Sequence, residues 1–247
     1  MNQQTNKPRH RGIYLLPNLF TTGAMFSGFY AITSAINDHY ETAAIAMFIA
    51  MVLDGLDGRV ARLTNTQSEF GVQYDSLSDM VSFGVAPAVV TYLWAFADLG
   101  QVGLFAAFVH MAGGALRLAR FNTQVEVADK RYFQGLPSPA AAAIIAGGIW
   151  FCIENGYSPA NIQYLAVITT IATGLLMVSN FRYSSFKELD FKNKVPFMVT
   201  IIAMLVIGFV MAQPQRMLFL LSVGYAFSGP IVTLVLRRKR RMQNRKT

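Results

Sequence analysis

The chain has 247 residues, of which 53% are hydrophobic and only 14% are charged. A soluble domain of this length carries about 25% charged residues, so the composition excludes an ordinary soluble domain and indicates one polytopic membrane domain over residues 1–247. The formal net charge of +8 could suggest a nucleic-acid-binding protein. However, the basic residues cluster at the ends of apolar segments, where the positive-inside rule places them, and we expect no nucleic acid partner.

Eight apolar segments follow one another along the chain, each near the roughly 20 residues that a membrane-spanning helix requires. They lie at about 14–36, 42–61, 77–97, 101–121, 138–154, 161–179, 195–212 and 216–236. We therefore predict an all-α, polytopic transmembrane helix bundle of about eight spans. The first segment is too long for the apolar part of a signal peptide and lacks a convincing cleavage site, so we expect it to be retained as a span.

Basic residues alternate between the connections of these segments. Lys and Arg are concentrated in the N-terminal tail (1–12), the loop after the second segment, the fourth and sixth connections and the C-terminal tail (237–247). The only Lys or Arg residue in the other connections is Arg216. The positive-inside rule then places both termini and the loop after the second segment in the cytoplasm. The C-terminal tail either binds anionic lipid head groups or is a plain topology anchor, and we favour the anchor.

Four aspartates lie at the facing ends of the second and third segments, within residues 54–79: Asp54, Asp57, Asp75 and Asp79. On helices, the first two lie about 60° apart on one face, and the last two are one turn apart. A carboxylate at a membrane edge costs roughly 2.5 to 3.5 kcal/mol and marks a functional site by default. Because four converging carboxylates repel one another, we predict that they bind one or two divalent cations, Mg²⁺ or Mn²⁺, with two favoured.

Small residues accompany these aspartates at helical spacing. Gly58, Ala61 and Gly71 each lie one turn from an aspartate, where they would let a ligand approach the backbone. Arg62 could hold a phosphate, although a structural ion pair is nearly as good an interpretation. The complete pattern, DxxDGxxAR followed after eight residues by GxxxDxxxD, resembles the signature of the CDP-alcohol phosphotransferase family, membrane enzymes of phospholipid synthesis.

This resemblance implies a CDP-linked lipid as the donor and a role for each aspartate. Asp54, Asp57 and Asp75 would be metal ligands, and Asp79 would be both a ligand and the general base that takes a proton from the acceptor hydroxyl. The CDP group would be bound by Asp57, Gly58, Ala61, Arg62 and Gly71. The sequence contains no P-loop pattern, so ATP is not the expected donor.

Three further stretches resemble the integral-membrane phosphatidylserine synthases of bacteria: RGIYLLPNLFT at 11–21, ALRLARFN at 115–122 and FQGLPSPAAAA at 133–143. This resemblance implies CDP-diacylglycerol as donor, L-serine as acceptor and CMP as a product. It also implies an enzyme of the bacterial inner membrane among membrane lipids, and makes a homodimer plausible. The distribution of Lys and Arg predicts that the active site faces the cytoplasm. The candidate acceptor or phosphate ligands are Arg117, Arg120, Asn18, Ser78 and Ser82.

The two arginines offer a positive charge for the serine carboxylate. They could equally bind lipid phosphate or only follow the positive-inside rule, and Asn18 is more readily interpreted as a helix cap. The alternative function is the same chemistry with glycerol 3-phosphate, inositol or choline as acceptor. A divalent-cation transporter is a remote alternative, because the acids of a transporter would lie near the bilayer midplane, whereas these aspartates lie at one edge of the membrane. Cys152 and the histidines have no metal-binding spacing, and we expect them to be buried or solvated.

Overall fold

The structure is a computed structural model that describes residues 15–124, 132–184 and 197–243. Nine α-helices are present in these ranges: α1 Leu15–Ile36, α2 Tyr40–Thr64, α3 Glu69–Asp79, α4 Ala86–Thr91, α5 Gln101–Gln124, α6 Ser138–Glu154, α7 Pro159–Val178, α8 Phe197–Ala212 and α9 Pro214–Gln243. A π-helical turn, Met80–Val85, joins α3 to α4. A second π-helical turn, Tyr92–Phe96, and the 3₁₀ turn Ala97–Leu99 follow, so Glu69–Leu99 forms one long helix.

The predicted all-α bundle is confirmed for the described residues. Five helical stretches are long and apolar enough to cross a membrane: Leu16–Ile36, Glu69–Leu99, Gln101–Thr123, Pro159–Val178 and Pro214–Val235. By contrast, α2 carries the charges of the aspartate motif, and α6 and α8 have only 17 and 16 residues. The count of eight spans therefore stays a prediction, as does the orientation. The N-terminal tail (1–12) lies outside the described residues, and residues 237–243 of the C-terminal tail continue α9.

A short β-ribbon was not predicted from the sequence. Strand β1, Tyr132–Gln134, pairs antiparallel with β2, Arg182–Ser184, and Phe133 lies opposite Tyr183. Three residues are too few to show the alternation of apolar and polar side chains that identifies a strand. The ribbon joins the connection before α6 to the one after α7.

Helix packing brings one set of helix ends together. α1 lies along α2, α5 along α7 and α6 along α9. The α5–α7 contact is a direct backbone approach, since a Cβ added to Gly113 would lie 2.4 Å from the Gly174 carbonyl oxygen. The central core contains Ala46 and Met47 of α2 and Ile149 of α6. The end of α2 and the start of α3 are thereby held beside the start of α1.

A proline and a tyrosine fix the ribbon against α9. Pro230 lies inside α9 and has no N–H for the carbonyl of Ala226, four residues earlier. The hydroxyl of Tyr183, which is fully buried, donates to this carbonyl at 3.1 Å. Burial raises the pKa of Tyr183 to about 12, so the hydroxyl remains a donor at alkaline as well as neutral pH. The tyrosine hydroxyl thus replaces the backbone donor that the proline removes.

Candidate active site

The structure brings the four aspartates of the motif together. Asp54, Asp57 and Asp75 each offer a carboxylate oxygen, and these oxygens lie within 4.8 Å of one another. Asp79 lies beside them, because its carboxylate interacts with the carboxylates of Asp54 and Asp75. We call these four residues the aspartate cluster. Two α-helical segments with correctly phased acids thus meet at one point.

The unpartnered oxygens in the aspartate cluster favour a cation. Among the described residues, Asp75 Oδ1 and Asp79 Oδ1 are buried and have no hydrogen-bond partner. Burying a charged oxygen without a partner is costly, and several carboxylates in contact repel one another. Oxygen ligands in this number suit Mg²⁺, Mn²⁺ or Ca²⁺. The residues present therefore fit a divalent metal.

A tight connection between α2 and α3 produces this convergence. α2 ends at Thr64. The next residue, Asn65, adopts the left-handed conformation with φ of 51° and donates its N–H to the carbonyls of the preceding turn. Ser68 caps α3, because its Oγ accepts a hydrogen bond from the Gly71 N–H at 3.0 Å. Only the residues 65–68 separate the helices, so the chain reverses at once and the two acidic faces meet.

α1 supports the aspartate cluster through a contact that sequence reasoning missed. Thr21 is buried, and its hydroxyl donates to Asp57 Oδ2 at 2.7 Å. Ser78 donates to the Thr21 carbonyl at 2.9 Å, and Ser82 donates to the Ala24 carbonyl at 3.0 Å. Both serines, which we named as acceptor candidates, are therefore buried in the contact between α1 and the helix that carries Asp75 and Asp79.

Asn18 is the fourth residue of α1, which is helical from Leu15, and so does not occupy the N-cap position. Its side-chain oxygen lies 3.8 Å from the position that a Cβ on Gly71 would take. One turn along α1, the Thr22 and Tyr74 hydroxyls lie 2.9 Å apart. Asn18 therefore faces the start of α3, near the aspartate cluster, and the capping interpretation is wrong.

The two candidate arginines have different surroundings. Arg117 donates from Nη1 to Ser138 Oγ at 2.8 Å, and its guanidinium interacts electrostatically with Asp54 and Asp79. Its Nε is buried and has no hydrogen-bond partner within the described residues. Arg117 therefore lies beside the aspartate cluster, and one of its guanidinium donors is not used by the described residues.

Arg120 lies one turn further along α5 and binds the end of α7. Its Nη2 donates to the Val178 carbonyl at 2.5 Å, and its Nη1 lies 3.4 Å from both the Ser179 carbonyl and Asn180 Oδ1. A cation at a helix C-terminus satisfies the last carbonyls and interacts favourably with the helix dipole. Arg120 therefore has a structural role, since it connects α5 to the C-terminal end of α7.

The proposed nucleotide side of the site is open. Gly58 and Ala61 are half-buried on α2, and a Cβ on Gly58 would meet only the two terminal nitrogens of Arg62, each 4.0 Å away. Arg62 itself is exposed and interacts electrostatically with Asp57. A flexible cation and a small residue thus border the aspartate cluster on the loop side.

Three other residues near the site were also missed. Ser138, at the start of α6, is fully buried against Arg117 and lay within the quoted stretch 133–143. Tyr225 of α9 interacts electrostatically with Arg117 and packs against Tyr183, with ring centroids 5.5 Å apart. Asn122 exchanges hydrogen bonds with Ser76 at 3.1 and 3.2 Å. Tyr225 comes from a distant span, and no sequence pattern signals its position.

Cys152 and His110 lie inside the helix bundle, as expected for residues that the sequence predicted to be buried or solvated. Cys152 is half-buried and lines an apolar cavity of about 100 Å³. His110 is fully buried and has a polar neighbour at each ring nitrogen. His39 is exposed at the start of α2, and His10 lies outside the described residues.

Comparison with known proteins identifies the family. The sequence pattern of the family described as CDP-alcohol phosphatidyltransferase matches residues 14–178. A Helicobacter pylori (strain J99) protein named CDP-diacylglycerol–serine O-phosphatidyltransferase is 40% identical over 92% of this chain and 94% of its own length. A protein of the same name from Bacillus subtilis is 33% identical over 70% of this chain and 92% of its own length. Another from Saccharomyces cerevisiae is 39% identical over 56% of this chain and 54% of its own length. The chain belongs to the CDP-alcohol phosphatidyltransferase family.

Proposed function

We propose that this protein transfers the phosphatidyl group of CDP-diacylglycerol to the hydroxyl of L-serine, giving phosphatidylserine and CMP. The observation that carries the proposal is the aspartate cluster of a chain of this family. Two of its buried carboxylate oxygens have no hydrogen-bond partner among the described residues. The acceptor is supported by relatives that are named for serine and that align over most of the chain.

The residues of the cluster divide into two roles in this proposal. Asp54, Asp57 and Asp75 would hold Mg²⁺ or Mn²⁺, with two ions per site, and Asp79 would contribute to the same site. When bound, the metal would supply positive charge that neutralises the diphosphate and the charge developing at phosphorus. Thr21 orients the Asp57 carboxylate through its 2.7 Å hydrogen bond.

Asp79 is proposed as the general base. Its Oδ1 has no hydrogen-bond partner among the described residues, so it can accept the proton of the serine hydroxyl. The serine oxygen then attacks the phosphorus that bears the diacylglycerol, and the bond from this phosphorus to the CMP oxygen breaks. The displaced phosphate oxygen leaves with CMP.

Arg117 is the favoured ligand for the serine carboxylate. It lies beside Asp54 and Asp79, and its Nε has no hydrogen-bond partner within the part of the chain that the structure describes, whereas Arg120 already binds the end of α7. A guanidinium and a carboxylate form strong charge-assisted hydrogen bonds. Arg62, which interacts electrostatically with Asp57, is proposed to bind a phosphate of the donor.

We further propose that the protein crosses the bacterial inner membrane eight times, with both termini and the aspartate cluster on the cytoplasmic side. The Lys and Arg distribution supports this orientation. Arg216, the one basic residue in the connections assigned to the other side of the membrane, lies at the opposite end of the bundle. There it donates to Gln213 and Asn155 at 3.0 and 3.1 Å. A homodimer is proposed on the family resemblance alone.

An acceptor panel tests the proposed function. Purified protein is incubated with radiolabelled CDP-diacylglycerol, Mn²⁺ and one acceptor at a time: serine, glycerol 3-phosphate, inositol or choline. We expect labelled phosphatidylserine with serine and little product with the others. Preferential formation of another phospholipid would refute serine as the acceptor while leaving the chemistry of the aspartate cluster in place.

A further inference from the structure

A π-helical turn directly follows Asp79. In this turn, Met80–Val85, the Ala86 N–H bonds to the Val81 carbonyl five residues earlier, whereas an α-helix bonds four residues back. The turn therefore contains an additional residue, and each residue of a helix turns the side chains by about 100°. Because Ala86 and Val90 are fixed in the core, the π-helical turn sets the direction in which Asp79 points.

The sequence contains a reason for this turn. In an α-helix, the N–H of residue 87 would donate to the carbonyl of residue 83. Pro87 has no N–H, so the carbonyl of Phe83 lacks its regular partner. The imidazole of His110, on α5, lies at this carbonyl with Nε2 3.1 Å from the oxygen. Since a carbonyl oxygen can only accept, Nε2 carries the hydrogen and donates it.

The ring of His110 is fixed from its other side as well. Its Nδ1 lies 2.9 Å from the hydroxyl oxygen of Thr173 on α7, which also lies 2.8 Å from the Thr170 carbonyl. His110 is 0% exposed and lies beside the direct backbone contact of α5 and α7 at Gly113 and Gly174. An imidazole held in this way cannot turn away from Phe83 without leaving buried polar groups unpaired.

We infer that His110 is a positioning residue for the proposed reaction: by donating to the Phe83 carbonyl it maintains the π-helical turn and so directs Asp79 into the aspartate cluster. The inference rests on the proposed function only for the role of Asp79 in the reaction. The arrangement of the cluster itself can be measured by Mn²⁺ binding, without turnover. A purely stabilising role for His110 would predict a different set of results.

Two substitutions at His110 make the first comparison. His110→Leu removes the donor and keeps an apolar side chain, whereas His110→Gln keeps an N–H donor at the end of a side chain of similar reach. We expect His110→Leu to weaken Mn²⁺ binding by about 10-fold or more, the range found for residues that orient metal ligands, and to lower kcat. His110→Gln should retain most of both. His39→Leu, at an exposed histidine, is the matched control and should resemble the parent protein.

A double variant separates positioning from stability. In His110→Leu/Pro87→Ala, the new N–H at residue 87 can donate to the Phe83 carbonyl in ordinary α-helical geometry. We expect the double variant to regain thermal stability while its Mn²⁺ affinity and kcat stay low, because the π-helical turn is lost. Recovery of Mn²⁺ affinity together with stability would overturn the inference, as would unchanged Mn²⁺ affinity in His110→Leu. If His110→Leu alone does not fold, the double variant decides.

The proposed function fails by a different result. A parent protein that binds Mn²⁺ but forms no phosphatidylserine would refute the serine transferase assignment. The Mn²⁺ affinities of the His110 variants would still show whether this histidine orients the cluster.

Discussion

Replacing Asp79 by Asn removes the proposed base and changes the side chain very little in size. Loss of a positioned general base lowers kcat by about 10²- to 10⁴-fold, which corresponds to about 2.7 to 5.5 kcal/mol in the activation free energy. The fold should tolerate the change. Two unit charges about 4 Å apart repel by roughly 4 kcal/mol at an effective dielectric constant of about 20, so removal of one carboxylate relieves repulsion in the metal-free cluster.

The assay is CMP release from CDP-diacylglycerol in the presence of serine, with initial rates measured over both substrate concentrations. We expect a large fall in kcat, a nearly unchanged KM for CDP-diacylglycerol and a melting temperature in chelator that is equal or higher. Asp98→Asn, at an exposed acid near the far end of the same helix, should behave as the parent does. A turnover near that of the parent in Asp79→Asn would refute the base assignment and require another proton acceptor.

The other predictions concern recognition, metal support and topology. Arg117→Ala should raise KM for serine about 10- to 150-fold, the effect of a lost charge-assisted hydrogen bond of roughly 1.5 to 3 kcal/mol. Arg120→Ala should mainly lower the melting temperature. Equal effects of the two substitutions on KM for serine would contradict the distinction between the two arginines. Thr21→Val should raise the Mn²⁺ concentration needed for half-maximal activity, because the Asp57 carboxylate loses its hydroxyl donor, and an unchanged Mn²⁺ requirement would show that this contact is dispensable. With Cys152→Ser as background, Gln67→Cys in the exposed loop after α2 should react with an impermeant thiol reagent only from the cytoplasmic side; labelling from outside intact cells would reverse the proposed orientation.

The aspartate cluster could be predicted because its geometry is local. Helical spacing fixes Asp54 relative to Asp57, and Asp75 relative to Asp79, and a connection of a few residues forces the two helices to meet. The same reasoning placed Ser78 near the acidic face, but it could not show that α1 occupies this serine. Contacts between distant helices depend on packing, which a single sequence does not display.

The difference between Arg117 and Arg120 illustrates this limit. The two residues are three apart on one helix and have the same chemistry, so only the position of α7 shows that Arg120 binds a helix end. The π-helical turn after Asp79 was hidden for a related reason. Pro87 signals a missing backbone donor, but the replacement donor, His110, comes from another helix.

The central claim is that the aspartate cluster binds a divalent cation and uses it to transfer a phosphatidyl group to serine. The most direct test is CMP release by the purified protein from CDP-diacylglycerol, with serine and Mn²⁺ each present or absent. We predict CMP release only when both are added, its loss on treatment with EDTA, and its return when Mn²⁺ is restored. CMP release that proceeds fully in chelated buffer, or that does not depend on serine, would contradict the account.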